Sequence, residues 1–273
     1  MASDKLATSA DSLAAFRSTR VRWSVRIGLA VLVLLVLVPA IDFGVSGFFH
    51  DPANGFIWRN QPVPEFLHNA IQILARVIGA VTLAAFLYTA CRSLWSRRPV
   101  AFLRLGSRSW AFLFLGLVLG PGLVANVILK DMWSRARPVE VEEFGGHLYY
   151  SPPLVISNQC DKNCSFVAGD AAMGFYLQIA AYVVARRFSG PLLAAGMAAG
   201  LAAGLLRIGM GAHFFSDVIY AGVFMTVTIA GLHAVLFGPT QTLDRWRRWT
   251  PWCDSRWPNL SRRSPMSGRR SRH

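Results

Sequence analysis

The sequence predicts an all-α integral membrane protein of six transmembrane helices, on three observations. Of the 273 residues, 53% are hydrophobic and 15% charged. The apolar residues gather into runs long enough to cross a hydrocarbon layer of about 30 Å, which takes about 20 residues of helix. The connections between those runs alternate between strongly basic and net acidic, the pattern that leaves basic loops in the cytoplasm.

The six expected spans are 24–41, 68–91, 110–129, 166–185, 191–206 and 213–237. The first follows a basic leader with Lys5, Arg17, Arg20, Arg22 and Arg26. No small-x-small cleavage site follows LVLVPAIDF, so it reads as an uncleaved anchor. The connection after it is rich in aromatic residues, Trp58 among them, which predicts an interfacial aromatic belt. The second span carries Arg76, read as snorkelling to the outer headgroups, and leads to a basic cytoplasmic connection with Arg92, Arg97, Arg98, Arg104 and Arg108.

The third span ends at Lys130. The outer connection that follows, roughly 130–165, is long and rich in Pro, Gly and aromatics, and loops of that length are usually functional or disordered. The fourth and fifth spans are joined by Arg186 and Arg187 on the cytoplasmic side, and the sixth leads into a tail with nine arginines from Arg245 to Arg272. The Ser, Pro and Arg content of that tail predicts a disordered anchor against anionic lipid. The division is therefore a basic cytoplasmic tail over 1–23, a membrane domain over 24–238 and a second basic cytoplasmic tail over 239–273.

The formal charge of +14 raises nucleic acid as a partner, but most of the basic residues fall in the cytoplasmic connections and tails, where they act as topology anchors, which counts against that class. Cys91 and Cys253 fall on the cytoplasmic side, where thiols stay reduced. Cys160 and Cys164, in QCDKNCSF, fall on the outer side, where a disulfide persists. Two cysteines without a nearby partner pair do not make a zinc site, so no metal is expected.

Charged groups among apolar spans mark function. The topology delivers Lys130, Arg137, Asp170, Arg207, His213 and Asp217 from three separate segments to one outer depth. Two guanidinium groups and an ammonium in one place imply an anion. Arginine forks match phosphate oxygens in pairs, and lysine adds a point charge. Around Gly169 a helix N-terminus offers backbone N–H groups with no side chain in the way. His213 and Asp217 are four apart on one helix face. A carboxylate holding one imidazole nitrogen leaves the other free to act as nucleophile or base.

This spacing resembles the type 2 phosphatidic acid phosphatase superfamily. Lys130, six residues, then Arg137-Pro138 matches its first signature, and Arg207, five residues, His213, three residues and Asp217 matches its third. The resemblance implies a six-helix core with the site at the outer face, no metal or other cofactor, and a phosphohistidine intermediate. It implies His213 as nucleophile, Asp217 as the carboxylate orienting it, and Lys130, Arg137 and Arg207 as phosphate ligands. The middle signature departs from the pattern. Where the family reads Pro-Ser-Gly-His after Ser-Phe, this chain has Val167, Ala168, Gly169 and Asp170 after Ser165 and Phe166. Asp170 stands where a histidine is expected to protonate the leaving oxygen, and His147 on the long outer loop is a further candidate acid.

The resulting expectation is metal-independent hydrolysis of a lipid phosphate or polyprenyl pyrophosphate, lipid A included. The setting is the outer face of a bacterial inner membrane, with membrane lipids as partners. Phosphotransfer to a second lipid, and lipid-phosphate binding or transport without turnover, are the alternatives.

Overall fold

A computed structural model describes residues 19–238 and Gln241. Apart from Gln241, the expected tail over 239–273 lies outside the described residues, as do residues 1–18 of the N-terminal one. The chain enters through α1 (Thr19–Leu37) and α2 (Pro39–Phe48). Between them Val38 has φ −122° and ψ 79°, because a residue before proline is pushed out of the helical region. The axes of the two halves differ by 80°, so the single first span read from the sequence is a bent pair. The bend turns Asp42 and Ser46 of α2 into the interior, where both are buried.

A small antiparallel hairpin, β1 (His50–Asp51) and β2 (Gly55–Phe56), follows. It folds the aromatic connection inward: Phe49 and Phe56 are buried, and the Trp58 amide donates to the Gly209 carbonyl at 3.1 Å. Only part of this segment is thus free to act as the expected interfacial belt, Phe48 being 80% exposed.

The long helix α3 (Pro62–Ser96) ends at Arg97, and a second hairpin, β3 (Ala101–Phe102) and β4 (Leu105–Gly106), leads into α4 (Ser107–Leu117). Its continuation, Val118–Leu129, is wound as a π-helix and contains Pro121. A proline cannot donate in the helical ladder and its ring crowds the preceding turn, so the coil widens there. Asn126 Nδ2 donates to the Pro121 carbonyl at 2.7 Å. One last turn, Lys130–Met132, brings Lys130 to the end of this rod.

After a long loop come α5 (Gly169–Tyr176), a 3-10 turn (Leu177–Ile179) and α6 (Ala180–Val183), then α7 (Arg186–Gly209) and α8 (Phe215–Phe237). Among the described residues four helices are long and apolar enough to cross a membrane, or five if the bent α1–α2 pair is one span. The segment expected as the fourth span is not among them. Its helical part, from Gly169 to Val183, reaches about 22 Å at about 1.5 Å per residue, short of the hydrocarbon thickness. Every residue of α5 is buried, so this helix is the central post of the bundle and meets protein on all sides. Small residues allow that: a Cβ on Gly174 would lie 2.6 Å from Gly200 Cα of α7, the close backbone approach that glycine permits between membrane helices.

Candidate active site

His213 lies in the turn between α7 and α8. Gly211 makes that turn possible with φ +70°, and the Phe56 ring fills the space where a Cβ would stand, 2.5 Å away. The His213 Nδ1–H donates to the Ser165 carbonyl at 2.6 Å. That bond fixes the tautomer and leaves Nε2 as the nitrogen able to attack or take a proton. The ring is 1% exposed. Burial pulls its pKa from the usual 6.5 down to about 4, and Arg207 and Lys130 add to the effect against the opposing pull of Asp217. The sign follows directly: a depressed pKa keeps the ring neutral above about pH 4 and charges it only as the pH falls through that value. Imidazole NMR resonances of the free protein, assigned by their loss in His213→Gln, should therefore titrate near pH 4; a midpoint near 6.5 would contradict this environment.

Asp217 is fully buried in the first turn of α8. Its Oδ2 lies 3.7 Å from His213 Nδ1, an ion-pair distance with Ser165 taking the hydrogen bond itself. Ser165 bridges the two, since its Oγ donates to Asp217 Oδ2 at 2.6 Å. The same oxygen accepts the Phe214 amide at 2.9 Å, which caps the helix.

Arg135 holds the other side of Asp217 and escaped the sequence reading. It is 0% exposed and donates to Asp217 Oδ1, to Asp42 Oδ2 at 2.8 Å, to Ser216 Oγ at 2.9 Å and to the Ser151 carbonyl at 2.8 Å. The Phe214 ring lies 4.5 Å and the Tyr150 ring 5.2 Å from its guanidinium carbon. Burial opposes its charge, but Asp217 and Asp42 outweigh that and raise its pKa further. Asp42 also accepts Ser216 N and Oγ at 2.8 and 2.6 Å and Tyr150 OH at 3.0 Å.

Arg207 and Lys130 act electrostatically on His213, and Arg137 acts on Arg207. Arg207, in the last turn of α7, is buried with Nε lacking any hydrogen-bond partner; its nearest anionic atom is Asp170 Oδ2 at 3.3 Å. Lys130 is half-buried. Arg137, also half-buried, donates to the Asn163 carbonyl at 2.6 Å. Asn163 lies in the loop closed by a Cys160–Cys164 disulfide, whose Cα atoms are 5.7 Å apart. Gly169 opens α5; a Cβ there would meet Asn126 Oδ1 at 2.7 Å, so the glycine admits Asn126 of the π-helical segment. His147 is exposed on the long loop.

Asp170 is 3% exposed and already fully engaged. His68 Nδ1 approaches its Oδ2 at 2.5 Å and Gln72 Nε2 donates to its Oδ1 at 2.6 Å. Both partners belong to α3, four residues apart and so on one face. His68 was read only as the first residue of a span, and Asp42 only as part of an acidic connection. The available signal was that charged groups flanking apolar runs need partners, which pairs Asp42 with a cation such as Arg135.

The family profile described as PAP2 superfamily matches residues 109–240. A lipid A 4'-phosphatase of Francisella tularensis subsp. novicida is 35% identical over 226 residues, covering 79% of this chain and 97% of that relative. A lipid A 4'-phosphatase of Rhizobium leguminosarum is 34% identical over 119 residues, covering 44% of this chain and 51% of the relative. No solved structure matches the chain significantly. A relative spanned almost end to end at 35% identity, and a profile running from α4 past α8, carry one conclusion: the chain belongs to the PAP2 superfamily.

Proposed function

We propose that this protein is a lipid-phosphate phosphatase that removes a phosphate from lipid A through a phosphohistidine. The observation that carries the reading is a buried imidazole, tautomer-fixed by Ser165, facing a group of cations in which the buried Arg207 Nε has no hydrogen-bond partner. That unspent donor suits a phosphoryl group, whose developing charge it would stabilise without reorganising. The names of the relatives supply the substrate.

In this mechanism Arg207, Lys130 and Arg137 grip the phosphoryl oxygens, with the first amides of α5 beside them. His213 Nε2 attacks phosphorus as the bond to the lipid oxygen breaks. Asp217, acting through Ser165 and held by Arg135, keeps the ring aligned. Water then cleaves the phosphorus–nitrogen bond, releasing inorganic phosphate and restoring the imidazole. The protein's cations supply the charge that a divalent metal provides elsewhere.

The outer face is assigned by charge. Arg97, Arg98, Arg104 and Arg108 follow the C-terminal end of α3, whereas His68 lies near its start, a separation of about 40 Å along the helix. The positive-inside rule puts the arginines in the cytoplasm and the site at the periplasmic surface of the inner membrane. The membrane domain then covers 24–238, with the buried α5–α6 segment as one of six helices and basic tails at either end.

Purified protein in detergent should release one inorganic phosphate per lipid A molecule consumed, undiminished by EDTA. Complete inhibition by the chelator, or recovery of the phosphate on a second lipid, would overturn metal-independent hydrolysis. A protein that binds lipid A without turnover would make it a carrier.

A further inference from the structure

We propose that His68, gripped by Asp170, is the acid that protonates the leaving lipid oxygen, an assignment that rests on the phosphatase reading above. Asp170 occupies the position where the resemblance leads one to expect a histidine, yet it is poorly placed to donate a proton. Both its oxygens accept hydrogen bonds, from His68 at 2.5 Å and from Gln72 at 2.6 Å, and Arg207 Nε lies 3.3 Å from Oδ2. Two hydrogen-bond donors and the charge of a neighbouring guanidinium hold this buried carboxylate as an anion. What that anion holds is an imidazole.

The pair is asymmetric. The Asp170 side chain is 3% exposed and the His68 side chain 28%, so the carboxylate is the buried holder and the ring is the accessible partner. With Nδ1–H committed to Asp170, Nε2 is the position from which a second proton can leave. The carboxylate offers the counter-charge for an imidazolium, the arrangement by which a carboxylate orients a catalytic histidine and stabilises its charged form. Arg207 ties the dyad to the phosphate grip, because it touches Asp170 on one side and acts on His213 on the other. The imidazole that α5 lacks is thus supplied by α3, the helix facing it.

The step balances. As the His213 nitrogen–phosphorus bond forms, the phosphorus–oxygen bond to the lipid breaks, and the departing oxygen takes the proton from His68 Nε2. In the second half, neutral His68 takes a proton from the attacking water as the nitrogen–phosphorus bond breaks. The ring ends as it began. Asp170 is the positioning residue.

The test is His68→Asn, whose side-chain amide keeps a donor for Asp170 while removing the acid, assayed on two substrates. Lipid A has an alkoxide leaving group that needs a proton; an acylated nitrophenyl phosphate leaves as a stable phenolate and does not. In single turnovers we expect His68→Asn to lose about 10²–10⁴-fold in the rate of phosphoenzyme formation from lipid A and only a few-fold in that rate from the aryl ester, with unchanged melting temperature. Retained lipid A turnover, or an equal loss on both substrates, would overturn the assignment and leave His68 a structural partner. Inactivity of the unsubstituted protein on both substrates would instead defeat the phosphatase reading, and this one with it.

Discussion

Substituting glutamine for His213 will lower phosphate release from lipid A by at least about 10⁴-fold, because removing a covalent nucleophile leaves only the contribution of binding and charge stabilisation. Glutamine is the informative choice. Its amide can still donate to the Ser165 carbonyl that now accepts His213 Nδ1 at 2.6 Å, and it fills most of a site in which the native ring is 1% exposed. Alanine would add a cavity and mix stability into the result. The second readout is covalent: brief incubation with labelled substrate should leave acid-labile phosphate on the unsubstituted protein and none on His213→Gln. A loss of only about 10²-fold, with no phosphoprotein trapped in either form, would make His213 a general base directing water. The environment favours attack, since a ring held neutral down to about pH 4 has its lone pair available across the ordinary range.

The parts of this site legible in the sequence are those whose chemistry is carried by local spacing. Arg207, His213 and Asp217 lie on one turn and one helix start, and Lys130 with Arg137 flank the end of an apolar rod, so position along the chain nearly determines position in space. His68 and Asp42 are different. They reach the site only because α3 packs against α5 and because Val38 and Pro39 bend the first span by 80°. No periodicity announces either event. The fourth segment is legible only in part for a related reason: an apolar run reads alike whether it meets lipid or other helices, and α5 meets helices on every side. The pairing of Asp217 with His213 is visible in the sequence as an i,i+4 spacing, but its route through Ser165 depends on a loop whose path the spacing does not encode. Arg135 was hidden by its neighbour. In SRARP the arginine before proline fits the phosphate-binding pattern, and the one two residues earlier reads as one more surface cation.

Arg135→Met should produce the largest loss of stability of any substitution near the site, about 3–5 kcal/mol, the usual result of removing one partner from a buried charge pair. Here a single guanidinium faces two carboxylates, Asp42 and Asp217, each 0–1% exposed. Without it, both anions remain in the interior with only neutral donors. A loss of that size is a large share of the 5–15 kcal/mol that typically separates folded from unfolded protein, so melting in detergent will reveal it. Lysine cannot rescue the site, because a point charge on a flexible stem does not span Ser151, Ser216 and both carboxylates as the planar fork does. A second substitution can. Asp42→Asn removes one stranded anion while leaving a group able to accept from Tyr150 and Ser216, so Arg135→Met with Asp42→Asn should melt higher than Arg135→Met alone. Turnover should not recover with it, since Asp217 still lacks the donor that aligns it against Ser165 and, through Ser165, against His213. Stability restored without activity would assign Arg135 both duties; an Arg135→Met protein that melts and turns over normally would remove it from each.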